Sequence, residues 1–227
     1  MSSQSSQASR AIENLGPAEF QRKVSELVRY MLCQDKKKLP IKRPDINRNV
    51  LKEHVRCFQP IFEKAKEFLL NIFGIDVVES EVGKTKSYFL VNDLDTRNED
   101  VIPWSKEVKH SGLLMIIISL IYMSDGVVSD DILKRTLKQL GIRKDVNHKE
   151  FGDIEKTIQE FVKQTYIIKE KVVTPDLVTF NYKMGPRTMA ETSKRRILEF
   201  ISEIYGVDIQ QWKMQYKEIV REEGQQQ

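Results

Sequence analysis

Apolar residues fall at three- and four-residue intervals soon after the start of the chain. Pro17 can open a helix that carries Phe20, Val24, Leu27, Val28 and Met31 on one face. A short helix is expected around Arg43 to Leu51. A third then places Phe58, Ile61, Phe62, Ala65, Phe68, Leu69 and Ile72 on its buried side and stops at Gly74. The period then shortens to two. Ile75 to Glu79 and Ser87 to Val91 read as paired strands turning near Gly83. Three helices followed by a hairpin is the order of a winged helix.

The pattern then repeats. Leu113 to Met123 is a nearly continuous apolar helix closing at Gly126. Ser129 and Asp130 can cap a second helix bearing Ile132, Leu133, Leu137 and Leu140, which ends at Gly141. Ile154, Ile158, Phe161 and Val162 mark a third helix. A hairpin, Tyr166 to Val172 and Leu177 to Lys183, turns at Thr174-Pro175-Asp176. Two further helices follow, Glu191 to Tyr205 and Asp208 to Arg221, the latter with Ile209, Trp212, Tyr216 and Ile219 on one face. The expected fold is mainly α with small β-hairpin wings, an α+β class built from tandem winged helices. The divisions are a polar tail (residues 1–16), a first winged helix (17–92), an acidic linker (93–109), a second winged helix with C-terminal helices (110–222) and a short tail (223–227).

Composition narrows the function without fixing it. Charged residues make up 31% and hydrophobic ones 40% of 227 residues, a globular balance, and the net charge is +4. The longest apolar run is too short for a bilayer, which needs about 20 residues. The N-terminus lacks the basic-then-apolar order of a secretory signal. The two cysteines, Cys33 and Cys57, form no C-x-x-C pair, which excludes a zinc ribbon or RING and fits a reducing compartment. No phosphate-binding glycine loop, HExxH or G-x-S-x-G is present. His54, His110 and His148 lie far apart among polar neighbours, as exposed or capping residues would. No catalytic residue, metal site or cofactor is expected.

Basic side chains concentrate twice. Lys36, Lys37, Lys38, Lys42, Arg43, Arg48, Lys52 and Arg56 form the first group. Lys134, Arg135, Lys138, Arg143, Lys144, Lys149, Lys156 and Lys163, with Lys169 and Lys171 on the next strand, form the second. Either could neutralise phosphates or be a solvated face, and the first is the more basic in net charge, since only Asp45 and Glu53 offset it while the second is interleaved with Asp145, Glu150, Asp153, Glu155, Glu160 and Glu170. Sequence-specific reading by a winged-helix transcription factor is poorly served, because neither third helix offers an obvious set of base-reading Arg, Asn or Gln.

The segment Gly185-Pro186-Arg187-Thr188-Met189-Ala190-Glu191-Thr192-Ser193-Lys194 joins a turn, where glycine can supply a positive φ, to a helix that Thr192 or Ser193 can cap. With Ile197, Leu198 and Phe200 behind it, the segment resembles the GPR-x-x-x-ETSK-x-x-(apolar)-L-x-F stretch of the MAGE homology domain. Further matches stand in order. Lys38-Leu39-Pro40-Ile41-Lys42-Arg43-Pro44-Asp45-Ile46, Gly112-Leu113-Leu114-Met115-Ile116, Phe151-Gly152-Asp153, Phe161-Val162-Lys163-Gln164 with Tyr166, and Trp212 with Gln215-Tyr216 cover most of residues 18 to 222.

The resemblance, nearest to the family's DNA-repair and chromosome-maintenance branch, implies a tandem winged-helix assembly protein of the nucleus, chromatin-associated and not an enzyme. It implies a RING-type ubiquitin ligase subunit as one partner, contacted by Met31 and Leu32, where the family commonly has two leucines. It implies a kleisin subunit as another, received by the second winged helix around Leu113, Leu114, Ile197, Leu198 and Ile201. It also shifts the DNA-binding expectation from the first basic group to the second: Lys134, Arg135, Lys138, Arg143, Lys144, Lys156, Lys163, Lys169 and Lys171. Met184 stands where the family usually has Trp. The alternative within the family is an adaptor that stimulates a different RING ligase and has no DNA role.

Overall fold

Pro17 starts the first helix, α1 (Pro17–Asp35), and the two apolar periods that follow build two units, Met1–Arg97 and Asn98–Gln227. The computed structural model describes residues 15–82, 85–92, 106–143, 147–173 and 178–224. The expected turns at Gly83 and at Thr174-Pro175-Asp176 fall outside those residues. So do residues 93–105 of the expected linker, while residues 106–109 already belong to a helix.

In the first unit α1 is followed by β1 (Ile41–Lys42), α2 (Arg43–Ile46), a π turn (Asn47–Leu51), a 3-10 turn (Lys52–Cys57), α3 (Phe58–Phe73), β2 (Ile75–Val82) and β3 (Thr85–Asn92). The antiparallel sheet has the order β1-β3-β2, so the two-residue β1, which no periodicity announces, completes the wing. Val24, Leu27, Met31, Ile61, Ala65 and Leu69 close the core, with Phe62 and Tyr88 in ring contact at 4.5 Å. Gly74 ends α3 in the left-handed conformation, φ 62°, where a side chain would be strained. The π turn has a visible anchor. Lys23 is buried at 3% exposure, and its ammonium donates to the Val50 carbonyl at 2.9 Å and to Glu26 at 3.0 Å. A lysine so placed needs both acceptors, because an unpaired buried charge is costly.

The second unit repeats the plan with α4 (Lys106–Met123), β4 (Val128–Ser129), α5 (Asp130–Gln139), α6 (Ile154–Lys163), β5 (Ile167–Val173) and β6 (Val178–Met184), in the sheet order β4-β6-β5. It then adds α7 (Pro186–Glu191), α8 (Lys194–Tyr205), a 3-10 turn (Ile209–Gln211) and α9 (Lys213–Gly224). Helix α4 is central: Leu113, Ile117 and Ile121 are fully buried, and Leu133, Leu137, Ile158 and Leu198 pack into the same cluster. Ser129 and Asp153 cap α5 and α6 through their side-chain oxygens. No helix of the described residues is long and apolar enough to cross a membrane.

Some expected core positions are exposed. Phe68 and Ile72 on α3, and Ile132 and Leu140 at α5, all face outward.

Candidate functional site

The Gly185–Lys194 segment is a latch on the α6–β5 corner. Gly185 has φ −89°, so a positive φ is not its role, contrary to the sequence expectation. The requirement is space. A Cβ there would lie 2.1 Å from the Thr165 carbonyl oxygen and 2.8 Å from two backbone carbons. That closeness lets the Gly185 N–H donate to the Tyr166 carbonyl at 2.7 Å and the Thr188 hydroxyl donate to the same oxygen at 2.6 Å. Arg187 is fully buried and donates through Nε to the Gln164 carbonyl at 3.1 Å and through Nη1 to Glu191 at 3.0 Å. Ser193, not Thr192, caps α8 by accepting from the Arg196 N–H.

Beside this latch lies a groove of about 630 Å³. Its apolar floor is Leu114, Met115 and Ile118 of α4 with Phe200 of α8. Its rim carries Tyr166, Glu191, Arg196, Glu199 and Glu203. Burial, followed by the Glu191 charge, pushes the Tyr166 phenol up, so it stays a neutral donor. Of the five residues expected to meet a kleisin, Leu114 lines the groove. Leu113, Ile197, Leu198 and Ile201 are packed behind it in the core. Successive helical residues point about 100° apart, which turns Leu114 toward the groove while Leu113 stays wholly in the core. Met115, Phe200 and Glu191 stand in the family-resembling segments, but nothing in the spacing marks them, or Glu199 and Glu203, as lining one groove.

A second groove, of about 390 Å³, runs between α1 and α3 of the first unit. It is lined by Val24, Val28, Leu32, Cys33, Phe68 and Phe73, with Arg29 at its edge. Leu32 is therefore available to a partner. Met31 is not, since it is fully buried in the core, and its expected role as a direct contact is corrected on that ground. Phe68, expected in the core, and Phe73, which no spacing singles out, are in ring contact at 6.2 Å on this face.

The basic residues of the second unit separate by environment. Lys134 is paired with Asp130. Lys169 is partly buried, 3.5 Å from Glu155 and 4.4 Å above the Phe180 ring. Arg135 and Lys138 on α5, Lys156 and Lys163 on α6, and Lys171 on β5 are exposed and hold no ion pair among the described residues. Arg143 is exposed but engaged, and Lys144 lies outside the described residues. In the first unit Lys38 is paired with Asp35 and Arg48 with Asp45, while Arg43 lies 4.2 Å over the Phe58 ring.

Among the described residues no three His, Cys, Asp or Glu side chains are grouped to hold a metal ion. His148 accepts at Nδ1 from the backbone N–H groups of Glu150 and Phe151, a capping role. Cys57 is buried, which pushes its thiol up and keeps it protonated.

Residues 27–195 match the MAGE homology domain. The human non-structural maintenance of chromosomes element 3 homolog is 35% identical over 219 residues, spanning 96% of this chain and 72% of that protein. Human melanoma-associated antigen D2 is 33% identical over 217 residues, 95% of this chain but 36% of its own length. A solved chain described as "Nse1-Nse3-Nse4 complex" superposes with a TM-score of 0.84 at 37% identity, covering 90% of this chain and 99% of that one.

Proposed function

The chain belongs to the MAGE homology domain family, and from that premise we propose that it is a non-catalytic assembly subunit of a chromosome-maintenance, DNA-repair complex. In this reading it joins a RING-type ubiquitin ligase subunit (non-SMC element one) to a kleisin subunit (non-SMC element four) and contributes sequence-independent DNA binding. It works in the nucleus, on chromatin. The observation that carries the reading is the match along nearly the whole of a solved chain described as "Nse1-Nse3-Nse4 complex", together with 35% identity to the human element 3 homolog.

The two grooves fit the two protein partners. The α1–α3 groove is almost wholly apolar and offers Leu32, Phe68 and Phe73 as anchors, as a ligase-docking face needs. The α4–α8 groove has an apolar floor and a mostly acidic rim, which suits an amphipathic kleisin helix with basic flanks. The exposed cations of α5, α6 and β5 would contact phosphates.

Co-expression of the chain with each candidate partner and with both, followed by gel filtration, tests the reading. A stable three-component complex is expected. Binding to a RING ligase with no kleisin association would favour the alternative, an adaptor for another ligase. A winged-helix transcription factor is disfavoured by α3, where Gln59 is bonded to Glu63 and Lys64 to Glu67, leaving a poor base-reading surface.

A further inference from the structure

The α4–α8 groove carries more charge than the fold itself uses, and the surplus is ordered. Glu191 on the rim is spent inside the protein: one carboxylate oxygen accepts from the Tyr166 hydroxyl and the other from Arg187. Arg196, Glu199 and Glu203 also line the groove. They are exposed and hold no ion pair or side-chain hydrogen bond among the described residues. All three stand on α8. Arg196, Phe200 and Ile204 follow at intervals of four residues and form one row, with about 6 Å of rise between neighbours. Glu199 and Glu203 form the row beside it. Ile204 is 62% exposed, so the apolar strip that Phe200 begins runs on past the groove.

Helix formation does not account for Arg196. Ser193 caps α8 by accepting from the Arg196 N–H at 3.2 Å, which makes Arg196 the third helical residue. A glutamate there would reach back to the N–H of Ser193 and complete a capping box, and its charge would suit the positive end of the helix dipole. A cation is the disfavoured choice. The two cations before it are used within the protein: Lys194 holds Glu218 and Glu222, and Arg195 holds Glu223. Arg196 serves no such pair. A local preference overruled without an internal gain points to a group that the chain does not supply.

We propose that Arg196 sets the register of the partner in this groove by taking one carboxylate from it; the proposal rests on reading the groove as the kleisin site. The kleisin segment docks as an amphipathic helix. One Asp or Glu meets the Arg196 guanidinium. Apolar side chains one and two turns along the same helix face cover Phe200 and Ile204, and basic side chains beside them meet Glu199 and Glu203. A helix displaced by one turn would set its carboxylate against the Phe200 ring and leave Arg196 unpaired, so one register is selected. A wholly basic helix is repelled by Arg196, and a wholly acidic one by Glu199 and Glu203.

The test uses the full chain and the kleisin subunit, with affinity read by calorimetric titration at low and high salt. Arg196→Glu should weaken association roughly tenfold at low salt, the scale of a hydrogen bond to a charged group, and by less at high salt. Its melting temperature should stay at or above wild type, because the substitution completes the capping box. Ile204→Ser removes an exposed side chain and should also weaken association without a loss of melting temperature. In a lysine scan of the acidic residues of the kleisin segment, one position should lose affinity for the wild-type chain and regain it for Arg196→Glu. Wild-type affinity in either variant, or no reciprocal position in the scan, would overturn the proposal. The groove would still belong to the kleisin if Phe200→Ser weakened association, whereas wild-type affinity in a folded Phe200→Ser chain would overturn both readings. Self-association of the chain that Arg196→Glu disrupts would overturn the proposal too, by assigning the row to a second copy.

Discussion

The Tyr166 hydroxyl donates to Glu191 at 2.7 Å, and the other oxygen of that carboxylate accepts from the fully buried Arg187. Glu191 and Tyr166 also line the α4–α8 groove, so the latch that closes the unit is one wall of the surface assigned to the kleisin. In the proposed reading, one carboxylate serves both the latch and the kleisin surface.

Gly185→Ala should therefore damage folding without any change of conformational class. Its Cβ would meet backbone atoms, which cannot swing aside, and overpacking of that kind costs about 1–3 kcal/mol. At about 2–4 °C per kcal/mol for a chain of this size, thermal unfolding should fall by several degrees. A melting temperature unchanged from wild type would show that the Gly185–Thr165 approach is not tight.

Much of the architecture is legible in the periodicity, and the failures have physical causes. Helix spacing locates α1, α3, α5 and α6, and the caps at Ser129 and Ser193 follow from their hydroxyl oxygens. Spacing cannot distinguish one apolar face from two. Helix α3 has a second stripe, Phe68 and Phe73, which lies open beside Leu32. Spacing alone reads Leu113, Ile197, Leu198 and Ile201 as core, which they are; it is the family resemblance that places them at a partner surface, when they form the layer beneath it. Strands β1 and β4 have two residues each, too short for any period. The charge group of the second unit is visible as composition. Which lysines are committed, such as Lys134 to Asp130, depends on pairings that composition does not carry.

Leu32 and Met31 are adjacent and should behave oppositely. Leu32→Ala with Phe73→Ala should remove ligase binding in a pull-down while the melting curve stays near wild type. Anchors at an interface centre cost about 2 kcal/mol or more each when truncated. Met31→Ala should instead lower stability by about 2–5 kcal/mol through an internal cavity. Retained ligase binding in the double variant would move the docking site elsewhere.

Leu198→Phe should weaken kleisin association indirectly. Leu198 is fully buried beneath the groove, so added volume pushes α8 and its Phe200 outward at a cost of about 1–3 kcal/mol. Phe200→Ser acts at the surface itself and should weaken the same association with less effect on melting. Calorimetric titration with the kleisin segment separates them. Wild-type affinity in both folded variants would remove the kleisin from this groove.

Helix α9 buries Ile219 in the core with Tyr216 packed against it, and exposed charge pairs to α8 flank that contact. Arg195 grips Glu223 through two bonds of 2.7 and 2.6 Å, and Lys194 grips Glu218 and Glu222. The hydrogen bond from Arg195 holds the Glu223 carboxyl below its ordinary 4.5. Its contribution is thus fully present above that pH and fades as pH falls through the folded value. Lys194 shifts the other way. Burial alone would lower it, but its bonds to Glu218 and Glu222 outweigh burial, so its contribution holds below 10.5 and fades as pH rises beyond. The Arg195 Nε–H resonance, protected by Glu223, should remain visible at neutral pH, where base-catalysed exchange removes the signal of a free guanidinium, and its chemical shift should move as acid protonates Glu223 below 4.5. A signal already lost to exchange at neutral pH, or a shift that does not follow the titration of a carboxylate, would mean that the pair does not form in solution.

DNA binding, if it belongs to the second unit, should depend on the uncommitted cations rather than on the whole basic group. Lys156 and Lys163 are two helical turns apart on α6, exposed and without ion pairs among the described residues. Lys134 and Lys169 already serve Asp130 and Glu155. Lys156→Glu with Lys163→Glu should weaken binding to every duplex sequence alike. The slope of log affinity against log salt should flatten by roughly 0.9 for each phosphate that is no longer neutralised. Lys134→Gln should change that slope little, because its charge is largely spent within the protein. The control lies in the first unit, where Lys42 and Lys52 are exposed. Gel shifts at two salt concentrations decide between the units. If Lys42→Glu with Lys52→Glu abolishes binding while the α6 reversals leave it intact, the phosphate-binding surface belongs to the first winged helix.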